Sequence, residues 1–158
     1  MFSIEVSAPG TKLLLNNAAQ SHLQECRPRS ESIQEMTNSK VQRFKWDDMP
    51  KEKLNDLIDR RIITGEKVML THVYLKKGAM VPMHSHFNEQ ITYILEGKLK
   101  FWIGSEDADP ITVGPGDVLI LSSNLAHKAE ALEDTLDVDI FAPPREDWLK
   151  KEDDYLRG

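Results

Sequence analysis

The chain has 158 residues, enough for one domain and a tail, and its 40% hydrophobic and 29% charged residues provide a core without disulfide staples. Its 20 Lys+Arg against 26 Asp+Glu give a formal charge of −6, which argues against nucleic acid or an anionic membrane as the main partner. The single cysteine, Cys26, allows no internal disulfide; no stretch nears a membrane span and Leu13-Leu14-Leu15 is too short for a signal-peptide core, so a cytoplasmic protein is expected.

Residues 1–35 show no sustained period. Pro9-Gly10, Asn16-Asn17 and the polar run 20–35 predict a mostly disordered tail, or a stretch ahead of a true start at Met36, with a domain over 36–158. No chemistry is assigned to His22 or Cys26. Residues 41–46 predict a strand and 51–56 a turn of helix after Pro50. The apolar runs 57–64 and 68–75, separated by Gly65-Glu66-Lys67, suit a hairpin, and Lys77-Gly78 turns the chain again. A second hairpin is expected from 91–95 and 99–103 about Glu96-Gly97-Lys98. Strands at 110–113, 118–121 and 135–141 follow, with Gly114-Pro115-Gly116-Asp117 as a turn. Residues 146–156 predict a short terminal helix. Short strands at regular spacing with Gly and Pro between them indicate an all-β sandwich or barrel.

The chemistry is concentrated in GAMVPMHSHFNEQITYILEG, residues 78–97. On one strand, side chains two apart share a face, so His84, His86 and Gln90 point the same way provided no bulge intervenes, and Glu89 points away. His127 can join them from a neighbouring strand. A lone His-x-His is more often a pair of ordinary polar residues, but its surroundings strengthen the case. Gly78 lies six residues before His84, Gly97 seven after Gln90, and Gly116-Asp117 eleven and ten before His127. This set resembles the two cupin motifs, G-x5-H-x-H-x3-E-x6-G and a later G-D run ending in His. The resemblance implies a single jelly-roll (double-stranded β-helix) barrel. It also implies one divalent transition metal ion (nickel, zinc, iron or manganese) held by His84, His86, Gln90 and His127. Gln90 stands where most cupins carry Glu. Three imidazoles and an amide leave the charge of such an ion uncompensated, favouring Lewis-acid chemistry on an anionic ligand over the two-His, one-carboxylate pattern of many iron oxygenases.

By the same parity Asp137, Asp139 and Phe141 share one face of the last strand, and Leu136, Val138 and Ile140 the other. The plain expectation is a solvated face with Phe141 under the tail, and a surface ion pair for Arg145. HSHFNEQITYILEG, GDVLILSSNLAH and LEDTLDVDIFAPPREDWL together resemble the pectin-degradation cupins of the KdgF type. That resemblance implies an enzyme opening the ring of 4,5-unsaturated uronic acids, with Asp139 and Arg145 catalytic and Phe141 and Arg145 against an anionic sugar. It also implies a homodimer. The proline usual before the second-motif histidine is absent from Ser122-Ser123 to Ala126, which is expected to alter pocket shape more than metal binding. Two rivals are a metal-dependent dioxygenase on a small organic substrate and a non-catalytic cupin that binds a sugar or small acid. His72 reads as a hydrogen-bonded strand residue, Tyr93 as packing outside the barrel, and Trp46, Trp102 and Trp148 as core or interface residues.

Overall fold

In β3 (Met69–Leu75) burial alternates without a break: Met69, Thr71, Val73 and Leu75 are buried, while the residues between them are half-buried. That is the signature of a strand with one face in a core. The structure, a computed structural model, describes residues 41–157. The expectations for residues 1–35, His22 and Cys26 lie outside the described residues. Nine further strands surround β3: β1 (Glu52–Lys53), β2 (Ile58–Thr64), β4 (Met80–His84), β5 (Glu89–Glu96), β6 (Leu99–Ile103), β7 (Ile111–Val113), β8 (Val118–Leu121), β9 (His127–Ala131) and β10 (Thr135–Ala142). A short helix α1 (Glu146–Lys150) and a 3-10 turn over Asp154–Leu156 end the chain. Among the described residues no helix is long and apolar enough to cross a membrane.

The strands form two antiparallel sheets, one ordered β1-β2-β3-β10-β5-β8 and the other β4-β9-β6-β7. From β3 onward every connection except β6–β7 crosses from one sheet to the other, which is the winding of a jelly roll. The buried faces meet in a core built on Ile58, Met69, Ile94, Leu99, Phe101 and Leu121. Trp148 and Leu156 from the C-terminal segment join it. Tyr93 lies on the outer face at 38% exposure, as its parity predicts.

Several expectations are corrected. Residues 41–46 form no strand, because β1 already occupies the edge of β2 and Val41 and Phe44 stay 72% and 46% exposed. Trp46 instead opens a 3-10 turn and stacks on His72 with ring centroids 3.6 Å apart. Residues 51–56 are not helical: Glu52 and Lys53 pair with Arg60 and Asp59 as β1. The hairpin over Glu96-Gly97-Lys98 is a corner instead. β5 pairs with β10 and β8, whereas β6 pairs with β7 and β9. Gly97 is needed there: its φ is +80°, and a Cβ would stand 2.3 Å from the Asp134 carbonyl oxygen. β9, which carries His127, adds to the strands expected from apolar runs, since its buried positions after His127 are only alanines. The terminal helix stops at Lys151, which adopts φ +59°.

Candidate metal centre and its pocket

His84 ends β4 and His127 opens β9, and the two are register partners across the smaller sheet. His86 lies beyond β4 in the loop 85–88, and Gln90 is the second residue of β5 in the larger sheet. The four therefore meet by a crossing between sheets, not by parity along one strand, which corrects that premise. The loop is tied at several points. The Asn124 amide donates to the His86 carbonyl at 2.7 Å, and Ser123 Oγ donates to the Phe87 carbonyl. Asn88 Nδ2 donates to the carbonyls of Pro143 and Pro144 at 2.6 and 3.2 Å.

One nitrogen from each of His84, His86 and His127 lies within 4.8 Å of the others. His84 Nδ1 is 2.8 Å from the Pro82 carbonyl, and His127 Nδ1 is 2.8 Å from the Leu125 carbonyl. A carbonyl only accepts, so this network assigns the proton to Nδ1 and the lone pair to Nε2 in both rings. His127 Nε2 is buried with no hydrogen-bond partner among the described residues. Burial above all, with neighbouring imidazoles and Arg145, lowers His84 and His86 to about 4, and burial lowers His127 too. The rings are therefore neutral at pH 7, the form that binds metals. His86 Nε2 stands 3.1 Å from Gln90 Oε1. The two atoms are close enough to serve one ion.

The orientation of the Gln90 amide is fixed from behind. Its Nε2 donates to Asp139 Oδ1 at 2.7 Å and to Thr92 Oγ1 at 2.9 Å, which turns Oε1 toward the imidazoles. A carboxylate at position 90 would instead face that of Asp139. Thr92 Oγ1 itself donates to Asp139 Oδ1 at 2.6 Å. Burial pushes Asp139 up to about 6, against the pull of Thr92, Gln90 and Arg145, which leaves it ionised at neutral pH.

The solvated reading of the last strand's acidic face is overturned: Asp137, Asp139 and Phe141 are all buried. They face the other sheet, whose Leu99, Phe101, His127 and Ala129 line the same space. With His84, Gln90, His127 and Arg145 they line one pocket. Arg145 is no surface residue either, at 2% exposure. Its Nε and Nη2 bond Asp147 at 2.9 and 2.6 Å, so the edge that a bidentate grip on a ligand would use is taken. Nη1 remains, buried and without a partner among the described residues. Phe141 packs edge-on against His86 and Trp148.

Tyr155 was missed from sequence. It stacks on His84 with centroids 4.6 Å apart and accepts a hydrogen bond from Arg145 Nη2 at 3.1 Å. Thr92 and Asn88 were also missed. Both share the even parity of His84, His86 and Gln90, and that is the signal the sequence carries for them. His72 sits on the outer face under Trp46, away from this cluster.

Residues 71–142 match the family model of the cupin domain. They are a cupin domain. KdgF from Halomonas sp. has a similar structure, 26% identical with a TM-score of 0.63, covering 68% of this chain and 98% of that one. An RmlC-like cupin from Shewanella frigidimarina is 22% identical at a TM-score of 0.62, covering 68% of this chain and 96% of the other, and speaks to the fold alone. Oxalate decarboxylase from Bacillus subtilis, a protein described with Mn(II) centres, is 25% identical at a TM-score of 0.56; the match covers 63% of this chain and 29% of that one. No curated protein matches the sequence. The cupin resembles the KdgF type in its motifs, and its three histidines are positioned to bind a metal.

Proposed function

We propose that this cupin is a metal-dependent enzyme that opens the ring of 4,5-unsaturated uronic acids to linear keto acids. The ion would be held by His84, His86, Gln90 and His127. The observation that carries the reading is the bond from Gln90 Nε2 to Asp139 Oδ1, which couples the amide facing the imidazoles to an ionised base in the same pocket. A divalent ion bound there would supply Lewis acidity to negative charge developing on a substrate oxygen.

The protein groups have distinct tasks. Arg145 Nη1 donates to the substrate carboxylate through one nitrogen, and Phe141 walls the ring. Asp139 takes the proton of the anomeric hydroxyl as the bond from that carbon to the ring oxygen breaks. The electron pair passes to the ring oxygen as an enolate, and the proton returns to the alkene carbon to give the ketone. Atoms balance without oxidant or water. Thr92 and Gln90 keep Asp139 ionised by donating to it.

The test is loss of enol-ether absorbance on unsaturated galacturonate with the metal-loaded protein, run with nickel, zinc, iron and manganese. Turnover above the spontaneous rate is expected, with no oxygen consumed. Asp139→Asn should lose about 10²–10⁴-fold in rate while keeping its metal. No turnover with any of the four ions would end the ring-opening reading.

A further inference from the structure

Asp137 has no part in the reaction above. It lies two residues before Asp139 on the same inward face of β10, between Val73 of β3 and Ile94 of β5. It is 4% exposed, and its Oδ1 has no hydrogen-bond partner among the described residues. The pocket wall around it is apolar: Ile58, Val73, Leu75, Leu99 and Phe101 line the same space. A carboxyl held there costs free energy that these contacts do not return, and a valine or leucine would suit the strand better. The same pocket is continuous with His84, Gln90, His127, Asp139 and Arg145. Positions two apart on a strand are separated by about 7 Å, so one sugar-sized acid seated against Asp139 can also meet Asp137.

We propose that Asp137 is a substrate-binding residue whose carboxyl hydrogen-bonds a hydroxyl of the sugar acid, selecting polyhydroxylated acids over small dicarboxylic acids. The inference rests on the uronate reading above and adds a selectivity to it. Burial, and then the charge of Asp139, raise Asp137 well above the usual carboxylate range against the pull of the Val138 amide. As a neutral acid it can both donate to and accept from a hydroxyl. A dicarboxylic acid without hydroxyls gains nothing from it.

The experiment compares metal-loaded wild type, Asp137→Leu and Asp137→Asn by calorimetric titration with galacturonate and with malonate, alongside thermal unfolding. Asp137→Leu should be at least as stable as wild type, bind galacturonate about tenfold more weakly and bind malonate unchanged. Asp137→Asn, which keeps hydrogen-bonding groups, should fall between. Equal losses for both ligands with a lowered melting temperature would make Asp137 structural and overturn the inference. Unchanged galacturonate affinity in both variants would overturn it too, leaving the carboxyl to an internal water. Wild type that binds malonate but not galacturonate removes both readings together. Wild type that binds galacturonate without turning over the unsaturated acid removes ring opening alone, and the affinity change then decides Asp137.

Discussion

Two clusters of polar and charged side chains flank Trp148, whose ring lies 4.5 Å from the Arg60 guanidinium and 5.0 Å from that of Arg145. They are built differently. On one side Arg60 bonds Glu52 and Asp153, and Arg157 bonds the same two acids, so two cations and two anions close on each other. On the other side stand three neutral imidazoles, two adjacent acids and Arg145. There His86 Nδ1, His127 Nε2, Asp137 Oδ1 and Arg145 Nη1 are buried without partners among the described residues. In the first cluster only Arg60 Nη2 is in that condition. The first cluster holds the C-terminal segment on the barrel; the second leaves its bonding capacity for something the chain itself does not provide. Buried polar groups are ordinarily satisfied, so an accumulation of exceptions in one pocket marks a site.

The contrast breaks most visibly at Asp153. Both it and Arg60 are 0% exposed, so Asp153→Ala leaves a buried guanidinium with Glu52 alone. A loss of about 3 kcal/mol is expected, near the low end for breaking a buried pair because Glu52 remains. Urea denaturation measures it, and metal stoichiometry should not change in the folded fraction. His127→Ala is the mirror experiment. It should weaken metal binding by more than about 100-fold, beyond what outer partners of ligands contribute, while circular dichroism stays that of the folded barrel. A stable Asp153→Ala variant, or a His127→Ala variant that keeps its metal, would erase the distinction between the clusters.

Gln90→Glu tests the second cluster at its joint. The new carboxyl would stand where the amide now donates to Asp139 at 2.7 Å, and two carboxylates at that separation share a proton. Metal should be retained, since a carboxylate is a competent ligand. Galacturonate affinity should fall by about tenfold in calorimetry, because an extra negative charge or a neutralised Asp139 each disturbs the pocket. Unchanged affinity would mean that the neutral ligand set has no bearing on anion binding.

The fold was largely readable because most strands carry aliphatic or aromatic residues at alternate positions, as β3 does. What escaped depended on partners distant in sequence. Nothing local in Glu96-Gly97-Lys98 distinguishes a hairpin from a corner; the Asp134 carbonyl decides it. β9 carries its inward face on Ala129 and Ala131, too small to register as an apolar run. The histidines and Gln90 were found by spacing and resemblance, yet the geometric premise of one strand failed because the chain changes sheets between His84 and Gln90. Tyr155 and the capture of Arg145 by Asp147 follow from how the C-terminal segment folds back, which no period reports.

The smallest expected effect is at Thr92. Its hydroxyl donates to Asp139 Oδ1 at 2.6 Å and accepts from Gln90 Nε2, so it stabilises the charged carboxylate without reaching the pocket wall. Thr92→Val preserves shape and removes both bonds, at a cost of about 1 kcal/mol. The direction on catalysis follows from the charge. Asp139, raised to about 6 by burial and held down by Thr92 among others, acts as a base only when ionised, so kcat/KM should rise with pH through about 6 in wild type. Loss of the Thr92 donor removes a force lowering that value, so the rising limb should move to higher pH while the plateau above it is largely kept. A limb that stays in place would show that Asp139 is not the group whose ionisation governs the rate, even if Asp139→Asn is inactive. A limb that moves down would require the hydroxyl to favour the neutral acid, contrary to its place as a donor.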